Sequence, residues 1–569
     1  MNNNSSLWII LYRMRLPFIV IIITYCIAIT GLLLIDGVDD KGQPYSMTIF
    51  DAFYFITYTA TTIGFGETPY AFTYSQKLWV SISIYLTVLG WFYGIGTLVS
   101  LLQNKLFAQE IAKARFRRSV SNIKEKFIII LGYNQITSEI IKKAIDVGLR
   151  PIVVEKDENR ANDLILENFT PSVPILIADV QNARALEDAG IKLHNCKAIV
   201  SLFESETLNF RVALTSKLLN KNVTMAIKST TKNHTENLQD LGVEIITDPF
   251  ETIASEIDMA INAPNLLKLE KWIYGIANLN TSLPRFPKGK YIVCGYGRMG
   301  FDIYTVLQNN DIETEFIEVN EKVAKGFHND TKTHIIVANA DDKEVLTNAG
   351  ISDAVGIIAA TNNDTTNLSI LTTARKLNKK IITIARENEL DDLSIFENAN
   401  IHHIFVPSNI LIHKTTNALI NPLSEIFIQE LPKQDEKWAA KLVRKLVETI
   451  DEAPLVFEVN INHHDASEIA YQLSKKHEIR LSLLHLSLRN RELRNNVVPL
   501  LLMRDNKKIL LPSWNEKIYI DDKILFACDS YAKDDMEYIS QNKYEFHYAY
   551  TGFEKRTILT KLFKPKTNL

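Results

Sequence analysis

Paired cysteines are missing from this sequence. Its four cysteines, Cys26, Cys196, Cys294 and Cys528, stand singly, so their spacing offers neither a structural zinc site nor a disulfide framework. Reduced thiols in a cytoplasmic setting fit this pattern best. A large net charge is also missing, because −3 over 569 residues carries no signature of nucleic-acid binding. Long apolar runs are absent after about residue 110, so any membrane region must lie near the N-terminus.

Two uncharged apolar segments, residues 18–35 and 78–102, are each long enough to cross a bilayer as a helix. A cleaved signal peptide is the alternative for the first, but it would need a small-residue cleavage site, and Asp36 and Asp39-Asp40 follow instead. Basic residues flank the outer ends of both segments, at Arg13, Arg15, Lys105, Lys113, Arg115, Arg117 and Arg118. The positive-inside rule therefore predicts a multi-pass protein of the inner (plasma) membrane with both termini in the cytoplasm.

Between the two spans, residues 48–61 are aromatic-rich and too short to cross, which predicts a re-entrant helix. It delivers the chain to a glycine-containing run, Thr62, Ile63, Gly64, Phe65 and Gly66. Irregular backbone at membrane depth must be buried in protein or line a water-filled cavity. Rings of such carbonyl oxygens can replace the hydration shell of K⁺. The alternative is an ordinary extracellular loop with a glycine-rich turn.

Three glycines, Gly90, Gly94 and Gly96, lie within the second span. Glycine permits a helix to bend, so one of them is a candidate gating hinge, with Gly90 or Gly94 preferred. Close packing of helices through small residues explains the same pattern, and the sequence does not choose between the two.

From residue 126 onward, buried-strand runs alternate with helical patterns, which predicts parallel, doubly wound α/β folds. The order of motifs then repeats: Ala189-Gly190-Ile191 recurs as Ala349-Gly350-Ile351, and Asn220-Lys221 recurs as Asn378-Lys379. Five such matches in order indicate two homologous copies. We therefore predict a pore domain over 1–107, a linker over 108–125, copies with helical connectors over 126–283 and 284–435, a small α+β domain over 436–535, and a tail over 536–569 without an assigned role.

The second copy carries G-x-G-x-x-G at Gly295, Gly297 and Gly300, directly after a strand and at the start of a helix. Glu318 ends the next strand, where a carboxylate can accept hydrogen bonds from ribose hydroxyls. This arrangement favours nucleotide binding over glycines kept for packing alone. The first copy is degenerate, with the candidate positions Gly132, Asn134, Thr137, Glu155 and Asp179. It binds either a smaller adenine nucleotide or none, because Asn134 tolerates left-handed angles but crowds a pyrophosphate.

Taken with the T-V-G-Y-G-like run and the paired nucleotide folds, the chain resembles prokaryotic two-transmembrane potassium channels gated by RCK (regulator of K⁺ conductance, KTN/TrkA-N-type) domains. The likeness is greatest to the multi-ligand-gated bacterial type with two RCK copies per subunit. The resemblance implies a homotetramer in the lipid bilayer with one pore and an eight-domain cytoplasmic gating ring.

The same resemblance implies K⁺ as the permeant ion and a gating nucleotide, either NAD or NADH, or ADP or another adenine nucleotide. Ca²⁺ is a further implied effector, at a metal site that the sequence does not locate. It also implies a selectivity filter at residues 62–66, an RCK-C-like identity for the small domain, and a nucleotide site formed by Gly295, Gly297, Arg298, Met299, Gly300, Glu318, Asp341 and Asp342. Phe65 and Glu67 depart from the usual tyrosine and aspartate, so the support of the filter must differ.

The resemblance implies a channel without enzymatic activity, and two other functions are alternatives to it. A membrane-anchored NAD-dependent oxidoreductase needs an acid–base group at the nicotinamide, and no convincing candidate is present. A regulatory nucleotide-binding subunit of a K⁺ transporter does not account for the attached pore segment. Metal binding at His402-His403 or at His463-His464-Asp465 is disfavoured, because adjacent strand residues point to opposite faces. Asp465 is predicted instead to cap a helix that begins near Ser467.

Overall fold

The computed structural model describes residues 5–103, 105–326, 335–388, 393–505 and 507–555. The chain divides into two units, residues 1–122 and 123–569. The elements of the first unit are α1 (Ser5–Leu34), β1 (Gly37–Val38), β2 (Pro44–Tyr45), α2 (Ile49–Ala60), α3 (Tyr74–Gln103) and α4 (Lys105–Ser121). By length and composition, Met14–Leu34 in α1 and Tyr74–Ser100 in α3 are apolar enough to cross a membrane.

Helices α1, α2 and α3 pack together in the first unit. The predicted short helix is present as α2, which begins after Thr48 because the hydroxyl of Thr48 accepts the N–H of Asp51 at 3.2 Å. Trp79 of α3 donates its indole N–H to the carbonyl of Ala28 at 3.0 Å. Gly31 leaves the space that this indole ring fills, since a Cβ there would overlap the ring.

The second unit begins with a six-stranded parallel sheet whose strand order is β5-β4-β3-β6-β7-β8. Its elements are β3 (Phe127–Leu131), α5 (Gln135–Asp146), β4 (Arg150–Glu155), α6 (Glu158–Leu166), β5 (Ile175–Ile177), α7 (Ala183–Asp188), β6 (Cys196–Ser201), α8 (Glu206–Leu219), β7 (Thr224–Lys228), α9 (Lys232–Asp240) and β8 (Ile245–Thr247). Two connector helices follow, α10 (Pro249–Asn262) and α11 (Pro264–Ile273).

A second parallel sheet repeats this order as β11-β10-β9-β12-β13-β14. Its elements are β9 (Tyr291–Cys294), α12 (Arg298–Asn309), β10 (Thr314–Glu318), α13 (Glu321–Gly326), β11 (Ile335–Val337), α14 (Lys343–Asn348), β12 (Gly356–Ala359), α15 (Asp364–Leu377), β13 (Ile382–Arg386), α16 (Leu393–Asn398) and β14 (His403–Phe405). The helices that follow are α17 (Pro407–Ile420), α18 (Pro422–Glu430) and α19 (Glu436–Thr449).

The two sheets confirm the predicted repeat down to single side chains. Asn209 donates its amide to the carbonyl oxygens of Phe203 and Lys228, at 2.8 and 3.0 Å. Asn367 makes the equivalent bonds to Thr361 and Arg386, at 3.1 and 2.9 Å. In both sheets the strand order reverses beside the first strand, and such a switch point opens a crevice at the carboxyl ends of the strands.

Each connector completes the hydrophobic core of the other copy. Phe250, Ile253 and Ile257 of α10 lie in the core of the second copy, packed against α12. Leu411, Ile412 and Leu419 of α17 lie in the core of the first copy, packed against α5. The predicted boundaries, which assign each connector to the copy before it, therefore do not follow the packing. Burial of apolar side chains is the dominant favourable term in folding, so this exchange holds the copies together.

The C-terminal domain is a four-stranded antiparallel sheet of order β15-β18-β16-β17, with helices on it. Its elements are β15 (Leu455–Asn460), α20 (Ser467–Ser474), a 3₁₀ turn (Leu481–His485), β16 (Val497–Arg504), β17 (Lys507–Leu510), β18 (Lys523–Cys528), α21 (Ser530–Gln541) and α22 (Lys543–Thr551). The predicted end at residue 535 is wrong, because it falls inside α21, and Met536, Ile539 and Phe546 are buried in the core of this domain.

The predicted cap of α20 by Asp465 is also wrong. Ala466 precedes α20, and no side chain caps that helix. The Asp465 carboxylate instead accepts a hydrogen bond from the Asn462 amide and contacts the His464 ring, both at 3.0 Å, so the loop rather than the helix uses it.

Charged side chains are buried where the connectors meet. Glu270 of α11 is 7% exposed, and its neighbour Lys271 pairs with Glu256 of α10 at 3.0 Å. The Tyr274 hydroxyl donates to Glu425 of α18 at 3.1 Å. Burial raises the pKa of Glu270 to about 7, with Glu256 and Glu425 adding to the rise and lysines opposing it.

We therefore predict that Glu270→Gln makes the chain more stable than the wild type above about pH 7. The native Glu270 keeps its proton up to about pH 7, whereas an unfolded chain releases it near its ordinary value, so the free energy of unfolding falls as the pH rises between the two pKa values. At pH 8 the variant should be more stable than the wild type by on the order of 2 kcal/mol, with little difference at pH 5. Chemical unfolding of the full chain at both pH values measures this. The exposed Glu448→Gln is the control, and an equal gain at both pH values would contradict the prediction.

Candidate functional site

The loop after α2 has an alternating backbone. Thr62, Gly64 and Gly66 have φ angles of 62°, 66° and 73°, in the left-handed region, while Ile63 and Phe65 between them do not. Such alternation turns successive carbonyl groups toward the same side of the chain. Glycine makes these angles accessible at two of the three positions. In the single chain the side chains of Ile63 and Phe65 are 60% and 62% exposed, so the loop is not closed by its own subunit.

Two tyrosines of α2 support this loop. The Tyr58 hydroxyl donates to the backbone carbonyl of Glu67 at 2.8 Å, and the Tyr54 hydroxyl donates to the Glu67 carboxylate at 3.1 Å. The Phe65 ring meets the Tyr58 ring edge-on, with centroids 6.0 Å apart. The hydrogen bonds to the end of this loop therefore come from the helix, and the Phe65 ring contributes packing.

The glycines of α3 differ in their surroundings. A Cβ added at Gly90 would lie 2.9 Å from the Thr24 hydroxyl, and one at Gly94 would lie 2.9 Å from the Ile21 side chain. Both positions therefore allow close packing of α3 against α1. Gly96 has no such neighbour within 4 Å, so it is the hinge candidate that packing does not explain.

In the second copy a cavity of ≈480 Å³ opens at the switch point of the sheet. Gly295, Gly297 and Glu318 line it, as the sequence motif predicts. Gly295 has a φ of +101°, and a Cβ there would lie 3.1 Å from the backbone of Ala360. Gly297 precedes α12 without a side-chain cap, so the first N–H groups of that helix face an open turn. Open N–H groups at a helix N-terminus form a binding site for anions.

The Glu318 carboxylate holds the glycine turn in place. One oxygen accepts the N–H of Tyr296 and the other accepts the N–H of Asn320, both at 2.7 Å. Each carboxylate oxygen has a second lone pair, so a ribose hydroxyl could still donate to it. Among the described residues that line the cavity, Glu318 is the one titratable side chain.

The other predicted residues of this motif lie away from the cavity. Met299 is fully buried in the core, and Gly300 packs against the carbonyl of Gly295. Asp342 caps α14 by accepting the N–H of Glu344 at 2.9 Å. Neither Asp342 nor its neighbour Asp341 is among the lining residues, so their contact with a ligand stays a prediction.

Arg298 reaches a different cleft, of ≈680 Å³, which α10 borders. The guanidinium carbons of Arg298 and Arg386 lie 5.1 and 5.0 Å from the centre of the Phe250 ring. Burial, together with the nearby carboxylates of Asp248 and Glu251, raises the pKa of Asp302 in this cleft to about 6.

The residues that form the opposite wall of the cavity were not predicted from the sequence. These residues follow β11 and β12, and they are Ala338, Asn339, Ala340, Thr361, Asn362 and Asn363. They carry neither a glycine pattern nor a charge. The available signal was their position, because the carboxyl ends of parallel strands meet at one edge of a sheet.

In the first copy, side chains close the equivalent turn by bonding its N–H groups. The Asn134 side chain accepts the N–H of Thr137 at 3.0 Å, and the Thr137 hydroxyl accepts the N–H of Asn134 at 2.8 Å. This capping box satisfies donors that a phosphate would otherwise bind. Asn134 has an extended backbone, and the left-handed residue of the turn is Gly132, with a φ of +81°. A Cβ at Gly132 would lie 2.8 Å from the Phe203 ring, which covers the turn.

The two candidate acids of the first copy, Glu155 and Asp179, also have partners within the chain. Glu155 accepts the N–H groups of Tyr133 and Asp157 at 2.7 Å, as Glu318 does in the second copy. Asp179 pairs with Lys156 at 2.9 Å. The two copies thus share a fold but differ at the start of the first helix, where a side chain caps the N–H groups in the first copy and none does in the second.

The sequence disfavours metal binding at the histidine pairs, and the His402 and His403 rings have contacts within the chain. The described residues contain no group of three or more His, Cys, Asp or Glu side chains that could hold a metal ion. The His402 ring accepts the N–H of Thr383 at 3.1 Å, whereas His403 stacks on Phe286. Burial lowers the pKa of His403 to about 4.

Two segments of the chain, residues 128–249 and 291–407, match the TrkA-N domain. The probable potassium channel protein 2 of Methanocaldococcus jannaschii is 33% identical over 122 residues, which cover 21% of this chain and 36% of the relative. Potassium channel protein 1 of the same organism is 29% identical over 147 residues, which cover 26% of this chain and 44% of the relative. This chain thus spans less than half the length of these relatives.

Among solved structures, the GsuK channel bound to NAD aligns with 94% of this chain and 98% of its own length, at 15% identity and a TM-score of 0.47. The matches to the TrkA-N domain coincide with the two parallel sheets. The two copies are therefore TrkA-N domains, and the predicted resemblance to potassium channels with tandem domains of this type is confirmed.

We predict that Gly300→Ala destabilises the second TrkA-N domain far more than Gly297→Ala does. A Cβ at Gly300 would lie 2.0 Å from the carbonyl oxygen of Gly295, so the turn must shift, at a cost of about 2 kcal/mol or more. A Cβ at Gly297 meets nothing within 4 Å, so the loss should stay below about 1 kcal/mol. Chemical unfolding of the two variants measures the difference, and equal stabilities would contradict it.

Proposed function

We propose that this chain is one subunit of a potassium channel whose pore is gated by a nucleotide bound to its TrkA-N domains. The proposal rests on the loop at residues 62–66, in which left-handed residues alternate with others. This loop follows a short helix between two helices that are apolar enough to cross a membrane. Backbone carbonyls that face one way replace the hydration shell of K⁺. Relatives named as potassium channel proteins support the same activity.

One subunit supplies one wall of the proposed pore. The exposed Ile63 and Phe65 side chains need neighbours, which further copies of the chain provide in a homotetramer. In such a tetramer the eight TrkA-N domains form a cytoplasmic gating ring. The first copy offers Leu214 and Leu218 on α8, 42% and 76% exposed, as a contact between subunits. The residues at the equivalent positions of the second copy are Thr372 and Lys376.

The proposed location is the inner (plasma) membrane, with α1 and α3 as the spans and both termini in the cytoplasm. The basic residues that flank the spans support this orientation through the positive-inside rule. The cytoplasmic domains then begin after α4, the helix that joins the second span to the first TrkA-N domain in sequence.

The proposed ligand is NAD, NADH, ADP or another adenine nucleotide in the cavity of the second copy. The open N–H groups at the start of α12 suit the phosphates, and the Glu318 carboxylate suits a ribose. The closed turn of the first copy makes that copy a packing domain in this proposal. Ca²⁺ stays a predicted second effector without an assigned site.

Gating follows from differential affinity. A nucleotide that binds one arrangement of the ring more tightly shifts the population toward it. Helix α4 carries the change to α3, and Gly96 is the bend that opens or closes the pore. Turnover of the nucleotide is not part of the proposal, because the described residues that line the cavity include no acid–base pair.

The pore assignment predicts that Gly64→Ala abolishes K⁺ flux. Gly64 has a φ of +66°, so an added methyl group forces the carbonyls out of line and removes the coordination of the ion. The full chain in liposomes loaded with K⁺ measures the flux. Gly42→Ala is the matched control, because Gly42 has a φ of +79° outside the loop. Unchanged flux in Gly64→Ala, or an equal loss in the control, would sink the assignment.

The ligand assignment predicts that Gly297→Leu weakens nucleotide binding at least about tenfold, because the leucine side chain fills the space beside the open helix N-terminus. Asn134→Leu, at the equivalent position of the first copy, should leave the affinity unchanged. Calorimetric titration of the full chain in detergent with NAD⁺, NADH, ADP and ATP makes the comparison. An equal loss in the two variants would contradict a site in the second copy alone.

Single-channel recording tests the gating itself. Each nucleotide, and then Ca²⁺, is added from the cytoplasmic side of the reconstituted wild-type chain. We expect the nucleotide that binds in calorimetry to change the open probability. If none of them changes it, the gating proposal fails while the pore assignment still stands on the flux measurement.

A further inference from the structure

The C-terminal domain contains a cavity of ≈400 Å³ that is separate from the nucleotide cavity. It lies between the 3₁₀ turn Leu481–His485, the loop before β16, and the end of α22. The residues that matter here are Arg480, Ser482, Leu486, Arg491, Arg494 and Tyr550. One wall belongs to α22, the segment for which the sequence suggested no role.

Positive charge dominates this lining. Three guanidinium groups, of Arg480, Arg491 and Arg494, face one carboxylate, that of Glu478. Glu478 is shared, because it pairs with Arg480 and with Lys517, each at 2.9 Å. Within the part of the chain that the structure describes, no carboxylate forms an ion pair with Arg491 or Arg494. Clustered cations repel one another, and a bound anion relieves this repulsion.

Arg491 is held in place by the end of α22. Its Nε donates to the carbonyl of Ala549 at 3.0 Å, and its Nη2 donates to the carbonyl of Tyr550 at 3.2 Å. These bonds use two of the five N–H groups of the guanidinium. Gly552 ends the helix with a φ of +82°, and a Cβ there would lie 2.9 Å from Arg491 Nη1. The group is thus positioned before any ligand arrives, which reduces the entropic cost of binding.

The rest of the cavity suits an organic rather than a bare inorganic ion. Leu483 and Leu486 are buried beside it, 6% and 8% exposed, and offer an apolar surface. The Tyr550 ring and the Ser482 hydroxyl complete the lining. A volume of ≈400 Å³ lies within the range of small-molecule sites.

We propose that this cavity binds a small phosphate-bearing organic molecule through the guanidinium groups of Arg491 and Arg494. Arginine binds phosphate by paired, charge-assisted hydrogen bonds, and the leucines and Tyr550 contact the organic part. The site lies outside the TrkA-N domains, so it gives the chain a second ligand input that does not depend on the nucleotide cavity.

Calorimetric titration of the full chain in detergent tests this site, with glucose 6-phosphate and inorganic pyrophosphate as probes. Arg494→Gln should weaken the binding of both probes at least about tenfold, because it removes one charge-assisted contact. Arg489→Gln is the matched control, since Arg489 lies in the same loop but stacks on Tyr531 at 4.3 Å outside the cavity. Its effect should stay below about twofold.

Two further variants separate a specific site from charge attraction and from the nucleotide cavity. Ser482→Ala removes a neutral contact and should weaken binding by about threefold without altering the charge. In a Gly297→Leu background, which blocks the phosphate position at α12, both probes should still bind; loss of all binding there would place the probes in the nucleotide cavity and overturn the proposal. Equal losses in Arg494→Gln and Arg489→Gln would mean non-specific attraction and would also overturn it. So would the absence of glucose 6-phosphate binding by the wild-type chain at about 10 mM of that probe.

Discussion

The exchange of connector helices is the contact on which the cytoplasmic part depends. Helix α10 carries Phe250 into the core of the second TrkA-N domain, and α17 carries Leu411 and Ile412 into the core of the first. Neither domain has a complete core without the other copy, because these side chains would otherwise face water. The buried charges near Glu270 lie at the same junction. A change in the relative position of the copies must therefore rearrange apolar packing and buried charge together.

Within this shared frame, the two copies differ in a few side chains at the turn after the first strand. The first helix of the second copy begins at an uncapped glycine, whereas the first helix of the first copy begins with a capping box. Phe203 covers the turn in the first copy, where the second copy has Thr361. A ligand bound to one copy only breaks the symmetry of the pair. Because each copy contributes a helix to the core of the other, such an asymmetry affects the packing of both domains.

Few contacts hold the loop at residues 62–66. Tyr54 and Tyr58 of α2 both donate to Glu67, and they tie the far end of the loop to the helix that precedes it. A phenylalanine at position 65 is compatible with this arrangement because its ring contributes packing while the hydrogen bonds come from elsewhere. The loop and its helix therefore behave as one element.

Local patterns in the sequence were sufficient for the two long apolar helices, the short helix before Thr62, the two parallel folds and the glycine turn of the second copy. Apolar periodicity and glycine requirements act over a few residues. The sequence could not show which copy each connector completes, that Asp342 caps a helix rather than lining the cavity, or that α21 and α22 belong to the last domain. Nor could it pair Tyr58 with Glu67 or place Arg491 against the end of α22. Each of these depends on residues far apart in the chain coming together, and such contacts are decided by packing and burial in the tertiary structure.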